Sequence, residues 1–207
     1  MRILLAADLH GSMHGVKVIH ETIDKTSPDL FIACGDLTDF GPASFAREFL
    51  HDIHVKTFAV PGNCDPPELV QDLEELGVNL HGKKAGFGGS KFVGLGGSNP
   101  TPFNTDFELP EEEIARILEP IMEPGVILVS HPPPFGFCDA VRGGQHVGSK
   151  AVREAVDRFQ PRLVVTGHIH EARGISRGPT TVVNPGFAAK GELAVVNIDG
   201  EIEIRLI

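Results

Sequence analysis

The sequence predicts an α/β fold of two packed sheets with helices on their outer faces. Strand-like apolar runs alternate with amphipathic helical stretches through residues 1–77. The chain then changes to short apolar pieces between glycines and closes in hairpins. Five of the strand-like runs stop at once in an Asp, Asn or His, a residue type that binds metals.

Residues 3–7 read as the first strand, ending in Asp8-Leu9-His10; the apolar run is too short for the core of a signal peptide. From about residue 15 to 25, Val16, Ile19 and Ile23 share one helical face. Residues 29–36 are strand formers that end in Gly35 and Asp36. Pro42 suits the first turn of a second helix, in which Phe45, Phe49, Leu50 and Ile53 recur at helical spacing. The strand at 55–60 runs into Pro61-Gly62-Asn63, and a third helix opens at Pro66-Pro67, buries Leu69, Leu73 and Leu76 and stops at Gly77.

Residues 84–87 and 91–95 pair across Gly88-Gly89 as a hairpin. No Gly-x-Gly-x-x-Gly or Gly-Lys-Ser/Thr register occurs here, so these glycines serve turns and close packing. A helix near 111–119 and a strand reaching 130 lead to His131. After a long loop at 132–149, a helix near 150–159 and a strand at 162–166 lead to Gly167-His168-Ile169-His170. The closing strands are 180–183, then 193–198 and 202–207 across Asp199-Gly200. With no composition shift or linker, residues 1–207 are expected to form one domain.

Net charge is −10 and the basic residues are scattered, which argues against long nucleic acid or an anionic membrane as partner. An anionic substrate then has to be drawn by local cations. The three cysteines, Cys34, Cys64 and Cys138, are odd in number and far apart, as suits a reducing cytoplasmic setting better than a disulfide framework. No stretch has the length to cross a bilayer.

The strand tips carry the chemistry. Residues two apart in extended chain point to one side, so Asp8/His10 and His168/His170 can each present both side chains to one cavity. With Asp36, Asn63 and His131 they make seven candidate ligands, too many for one ion and enough for two. Paired ions roughly 3.5–4 Å apart need a group that touches both, and a carboxylate can bridge where imidazole cannot. Asp36 is the natural bridge.

In order along the chain, Asp8-x-His10, Gly35-Asp36-x-x-Asp39, Gly62-Asn63-x-Asp65, His131 and Gly167-His168-x-His170 resemble the motif set of the calcineurin-like metallophosphoesterases. The resemblance implies a four-layer α/β/β/α sandwich, two packed mixed β-sheets flanked by helices. It implies one metal held by Asp8, His10, Asp36 and His170, and another held by Asp36, Asn63, His131 and His168. Asp39 and Asp65 would orient groups around the pair, although Asp39 could instead cap the helix after Pro42. The reaction implied is hydrolysis of a phosphate ester by in-line attack of a metal-bridging hydroxide, with Asn63 among the catalytic residues. Manganese suits the nitrogen and oxygen donors best, with iron, nickel or zinc as alternatives.

Many relatives carry His after the Asn, where this chain has Cys64. A neutral thiol is a poor general acid at neutral pH. Small bacterial and archaeal phosphodiesterases share the Asn-Cys-Asp form, which favours a phosphodiester substrate, although Cys64 can equally be read as a small buried residue. The loop 132–149 holds Arg142, Gly143-Gly144 and His146 just before a helix N-terminus, where anions are favoured. His146 and Arg142 are therefore candidates for contact with the substrate; the plainer reading of His146 is an exposed loop histidine. Glu171 and Asn184-Pro185-Gly186 resemble a subgroup related to nucleotide-binding animal proteins, which favours a nucleotide-like small molecule. His14 lies near the first doublet and could face the site, although a surface role at a helix start suits it better; His20, His51, His54 and His81 have no partner at ligand spacing and read as surface or boundary residues.

A phosphomonoesterase is the alternative within the enzyme class, and a ligand-depleted protein-interaction scaffold the alternative outside it. The complete ligand set argues against the scaffold. A nuclease or protein phosphatase usually carries added domains that are not expected here, and the acidic surface discourages long nucleic acid. Homo-oligomerisation is left open by the sequence.

Overall fold

The computed structural model describes residues 1–207. Its first sheet has five strands in the order β11-β10-β1-β2-β3, in which β1 (Arg2–Ala6), β2 (Leu30–Cys34) and β3 (Thr57–Val60) run parallel. The closing hairpin, β10 (Ala194–Asp199) and β11 (Glu201–Leu206), joins antiparallel to β1. The second sheet has six strands, β4-β5-β6-β7-β9-β8. Here β5 (Ser90–Leu95), β6 (Ile127–Ser130), β7 (Leu163–Val165) and β9 (Thr181–Asn184) are parallel. The antiparallel β4 (Lys84–Phe87) and β8 (Gly174–Ser176) form its edges.

Strand alternation divides the core into three slabs. Ile3, Leu5, Ile32 and Phe58 face Phe92, Ile127, Val129 and Val165 between the two sheets. The other faces of β1 and β2, at Leu4 and Phe31, pack on Ile19 of α1 (Met13–Thr26), Phe49 of α2 (Ala43–His51) and Leu73 of α3 (Leu69–Glu75). Val93, Leu128 and Val164 pack on Ile114 and Leu118 of α4 (Glu111–Leu118) and on Val152 and Val156 of α5 (Lys150–Phe159). The result is a four-layer α/β/β/α sandwich.

Local chemistry moved some boundaries. Ser12 accepts from the Gly15 N–H as an N-cap, so α1 begins two residues before the expected position. Pro42 sits one residue before α2 rather than within its first turn. The Pro66-Pro67 segment is a tight turn, with Leu69 N–H on Pro66 O and Val70 N–H on Pro67 O, and α3 starts only at Leu69. The three-residue strand β8, too short to show a period, was not expected. Glu111 at the start of α4 accepts from Ser149 Oγ and from the Lys150 and Ala151 N–H groups, which fixes the N-terminus of α5 and with it the end of the loop after His131.

Candidate metal centre

The carboxyl ends of β1, β2, β3, β6 and β7 open on one face, and the two sheets touch there: His131 Nδ1 lies 2.8 Å from Cys34 O, across from one sheet to the other. Because a carbonyl only accepts, Nδ1 carries a hydrogen and Nε2 is the nitrogen that faces the site. Close approach is possible only with glycine at two points. A Cβ on Gly35 would stand 2.1 Å from His131 Nδ1, and one on Gly62 would stand 2.1 Å from Asp36 Oδ1.

Asp36 faces two clusters with different oxygens. Oδ2 is 3.5 Å from His10 Nε2 and Oδ1 is 3.5 Å from His131 Nε2. On the first side, His10 Nε2 lies 3.3 Å from His170 Nε2, which is 3.5 Å from Asp8 Oδ1. On the second, His131 Nε2 lies 3.1 Å from Asn63 Oδ1 and its ring is 5.2 Å from that of His168. Ligand atoms roughly 2.0–2.2 Å from a tetrahedral ion stand roughly 3.3–3.6 Å apart. The donor set therefore fits divalent cations: Asp8, His10 and His170 could hold one, and Asp36, His131 and His168 another.

The surroundings fix these side chains. Asp8, wholly buried, accepts the His168 N–H on both oxygens, at 3.0 and 3.1 Å. Phe187 stacks on His170 at 4.1 Å and meets His10 edge-on. Asn184 donates to Gly167 O and Ile169 O, holding the turn that presents both histidines. Four ligand candidates, Asp8, His10, Asp36 and His168, have φ between 45° and 66°, a left-handed conformation unfavourable for residues with a Cβ.

Electrostatics follow from burial and charge. Burial acts to raise the Asp36 pKa, yet His131, His10 and His168 outweigh it and hold the carboxylate well below its usual range. Burial acts to lower His131, and Asp36 reverses this, lifting it to about 9. His168 falls to about 4 through burial and the charge of His131. Cations at the site would compete with these protons for the same lone pairs.

Asp65 is buried and accepts from Leu37 N, Thr38 N, Thr38 Oγ1 and Gly62 N, tying the β2 and β3 loops together. Asp39 does not cap α2; its Oδ1 is 3.7 Å from His10 Nδ1. Cys64 is half-buried beside His10 and Asp36, and burial and the Asp36 charge push its thiol pKa up. Of the two readings left for His81, surface or boundary, the structure shows the boundary one: it is half-buried and accepts the Gly96 N–H at 2.8 Å.

The structure brings His146 to a cavity of about 750 Å³ that also borders His168 and His170. Arg142 does not line it; at the tip of the 139–147 hairpin its side chain is exposed while its N–H donates to Glu171. Two features had no sequence signal. His146 Nδ1 lies 2.6 Å from Asp139 Oδ1, and Asp139 Oδ2 accepts from Gly136 N and Gly148 N. Asn63 Nδ2 donates to Thr105 Oγ1 at 3.0 Å, which donates on to Glu108 at 2.7 Å.

Residues 1–172 match the family model described as calcineurin-like phosphoesterase. The chain belongs to that family. An uncharacterized protein of Methanocaldococcus jannaschii is 38% identical to this calcineurin-like phosphoesterase over 195 residues, 89% of this chain and 88% of the relative. A protein of Synechococcus named a probable cyclic nucleotide phosphodiesterase is 26% identical over 166 residues, 77% of this chain and 64% of its own. Among solved structures, TT1561 of Thermus thermophilus superimposes with a TM-score of 0.77 at 21% identity, covering 99% of this phosphoesterase and 97% of that chain. No helix of the fold is long and apolar enough to cross a membrane.

Proposed function

We propose that the protein hydrolyses small phosphodiesters with two divalent cations, manganese being the first choice for this nitrogen and oxygen set. The observation that carries the reading is Asp36, whose two oxygens address separate clusters. Asp8, His10, Asp36 and His170 would hold one cation, and Asp36, Asn63, His131 and His168 the other. When bound, the pair supplies charge against the phosphoryl oxygens and a water of lowered pKa.

The remaining steps belong to the chain. Thr105 takes one N–H of the Asn63 amide and so turns Oδ1 toward His131. The amide's other contact, Cys64 Sγ at 3.5 Å, is a weak acceptor that a phosphoryl oxygen replaces. His146, held at Nδ1 by Asp139, gives the Nε2 proton of its imidazolium form to the leaving oxygen as the P–O bond breaks, and regains one from water. This supplies the acid that Cys64 cannot. The name of the Synechococcus relative agrees with a diester substrate. We place residues 1–207 together as one catalytic unit in the cytoplasm, a setting that suits three free cysteines.

Reconstitution with Mn²⁺, Ni²⁺, Zn²⁺ or Mg²⁺, followed by assay on bis(p-nitrophenyl) phosphate, p-nitrophenyl phosphate and cyclic nucleotides, tests this. Diester turnover well above monoester turnover is expected. The reverse ratio overturns the diester assignment, and no turnover with any metal overturns the enzyme reading in favour of a scaffold.

A further inference from the structure

Next to His168 and His170, the cavity of about 750 Å³ runs between residues 99–103 and the 139–147 hairpin. Its volume suits a small-molecule group. Pro100, Phe103, Val141, Val147 and Ile169 give it an apolar lining, and no Lys or Arg borders it. With Glu171 on its rim and no fixed cation, it suits an uncharged group better than a second phosphate.

Phe103 is the most exposed large apolar side chain of the protein, 80% accessible. Its backbone is nonetheless fixed. Glu108 accepts from Thr101 N, Thr101 Oγ1, Thr105 N and Thr105 Oγ1, and Thr101 Oγ1 accepts the Phe103 N–H at 3.1 Å. A bare aromatic face on a rigid support is what a stacking platform needs. Asn99 ties this segment to the hairpin through Nδ2 on Val147 O, leaving Oδ1 as a buried acceptor without a partner. Gln145 lies free on the wall as a second group able to pair with a heterocycle edge.

We propose that this cavity takes a planar aromatic part of the substrate, a nucleobase, stacked on Phe103. The inference rests on the phosphoesterase reading for the position of the phosphate. The same Glu108 that stitches the platform also receives Thr105, the residue bonded to Asn63, so base and phosphate are held in one register.

The chain has neither Trp nor Tyr, so Phe103→Trp introduces one clean fluorophore at the exposed tip. Adenosine and AMP are expected to quench it saturably, while ribose 5-phosphate, inorganic phosphate and octyl phosphate do not. Quenching that never saturates, as for free N-acetyltryptophanamide, or saturation by octyl phosphate to the same extent, overturns the proposal. As a second measure, Phe103→Ala should lower the preference in kcat/KM for a nucleotide diester over an alkyl diester by about tenfold; an unchanged ratio counts against it. Saturable quenching in a protein that hydrolyses no ester removes the phosphoesterase reading and leaves the base site standing. Hydrolysis with an indifferent indole removes the base site alone.

Discussion

His146 Nδ1 and Asp139 Oδ1 are 2.6 Å apart, and the aspartate is sealed beneath the hairpin with its other oxygen on two backbone N–H groups. The carboxylate cannot turn away, so it holds the Nδ1 hydrogen and sets the aim of the ring. His146→Ala should lower kcat on alkyl diesters, whose alkoxide needs a proton, by about 10²–10⁴-fold. The loss on p-nitrophenyl esters should be far smaller, and imidazole in the buffer should restore part of the alkyl activity. Asp139→Asn should lower kcat in the same order of substrates with KM little changed. Equal losses on both leaving groups would refute the assignment.

Thr105 bonds the Asn63 amide from a loop distant in sequence. Thr105→Val keeps the shape and removes the acceptor. Titration against a competing chelator should show about 10–100-fold weaker binding at one of two metal sites, as expected for losing an outer hydrogen bond to a ligand.

Asp36→Asn exchanges one of two anionic oxygens for an amide nitrogen. Elemental analysis after gel filtration should find metal content falling from about two per chain to about one or less, with turnover near background. Retention of both ions would show that the carboxylate is not shared.

Burial lowers the pKa of His81 from 6.5, and its Nδ1 is committed to the Gly96 N–H. Below pH 6.5 the unfolded chain takes up a proton that the folded chain resists, so this residue's stabilisation is present above that pH and is lost as pH falls through the lower folded value. In metal-free protein, denaturant midpoints between pH 7.5 and 5.5 should decline less for His81→Asn than for the parent. Parallel declines would place the pH dependence elsewhere.

Asp8, Asp36, His131 and His168 could be read from sequence because each follows an apolar strand within three residues, a local signal that the fold turns into proximity. The α/β alternation was legible for the same reason, each period lying within one stretch. Thr105 and Glu108 carry no such mark: their loop has no periodicity, and Asn63 meets Thr105 only in three dimensions. Asp139 and His146 meet because the 139–147 hairpin folds back on itself, with Ala140 bridging His146 and Val147 N–H on Asp139 O. Arg142 attracted attention as a cation near an anion site, but at the tip of that hairpin the backbone, not the charge, decides where its side chain goes.

The left-handed backbone at Asp8, His10, Asp36 and His168 gives the strand ends a spring-loaded quality. Strain of about 1–3 kcal/mol at each such position must be borne by the sheets, whose packed interiors leave the tips no room to relax. The rigid interior is what lets a handful of reluctant residues hold their positions.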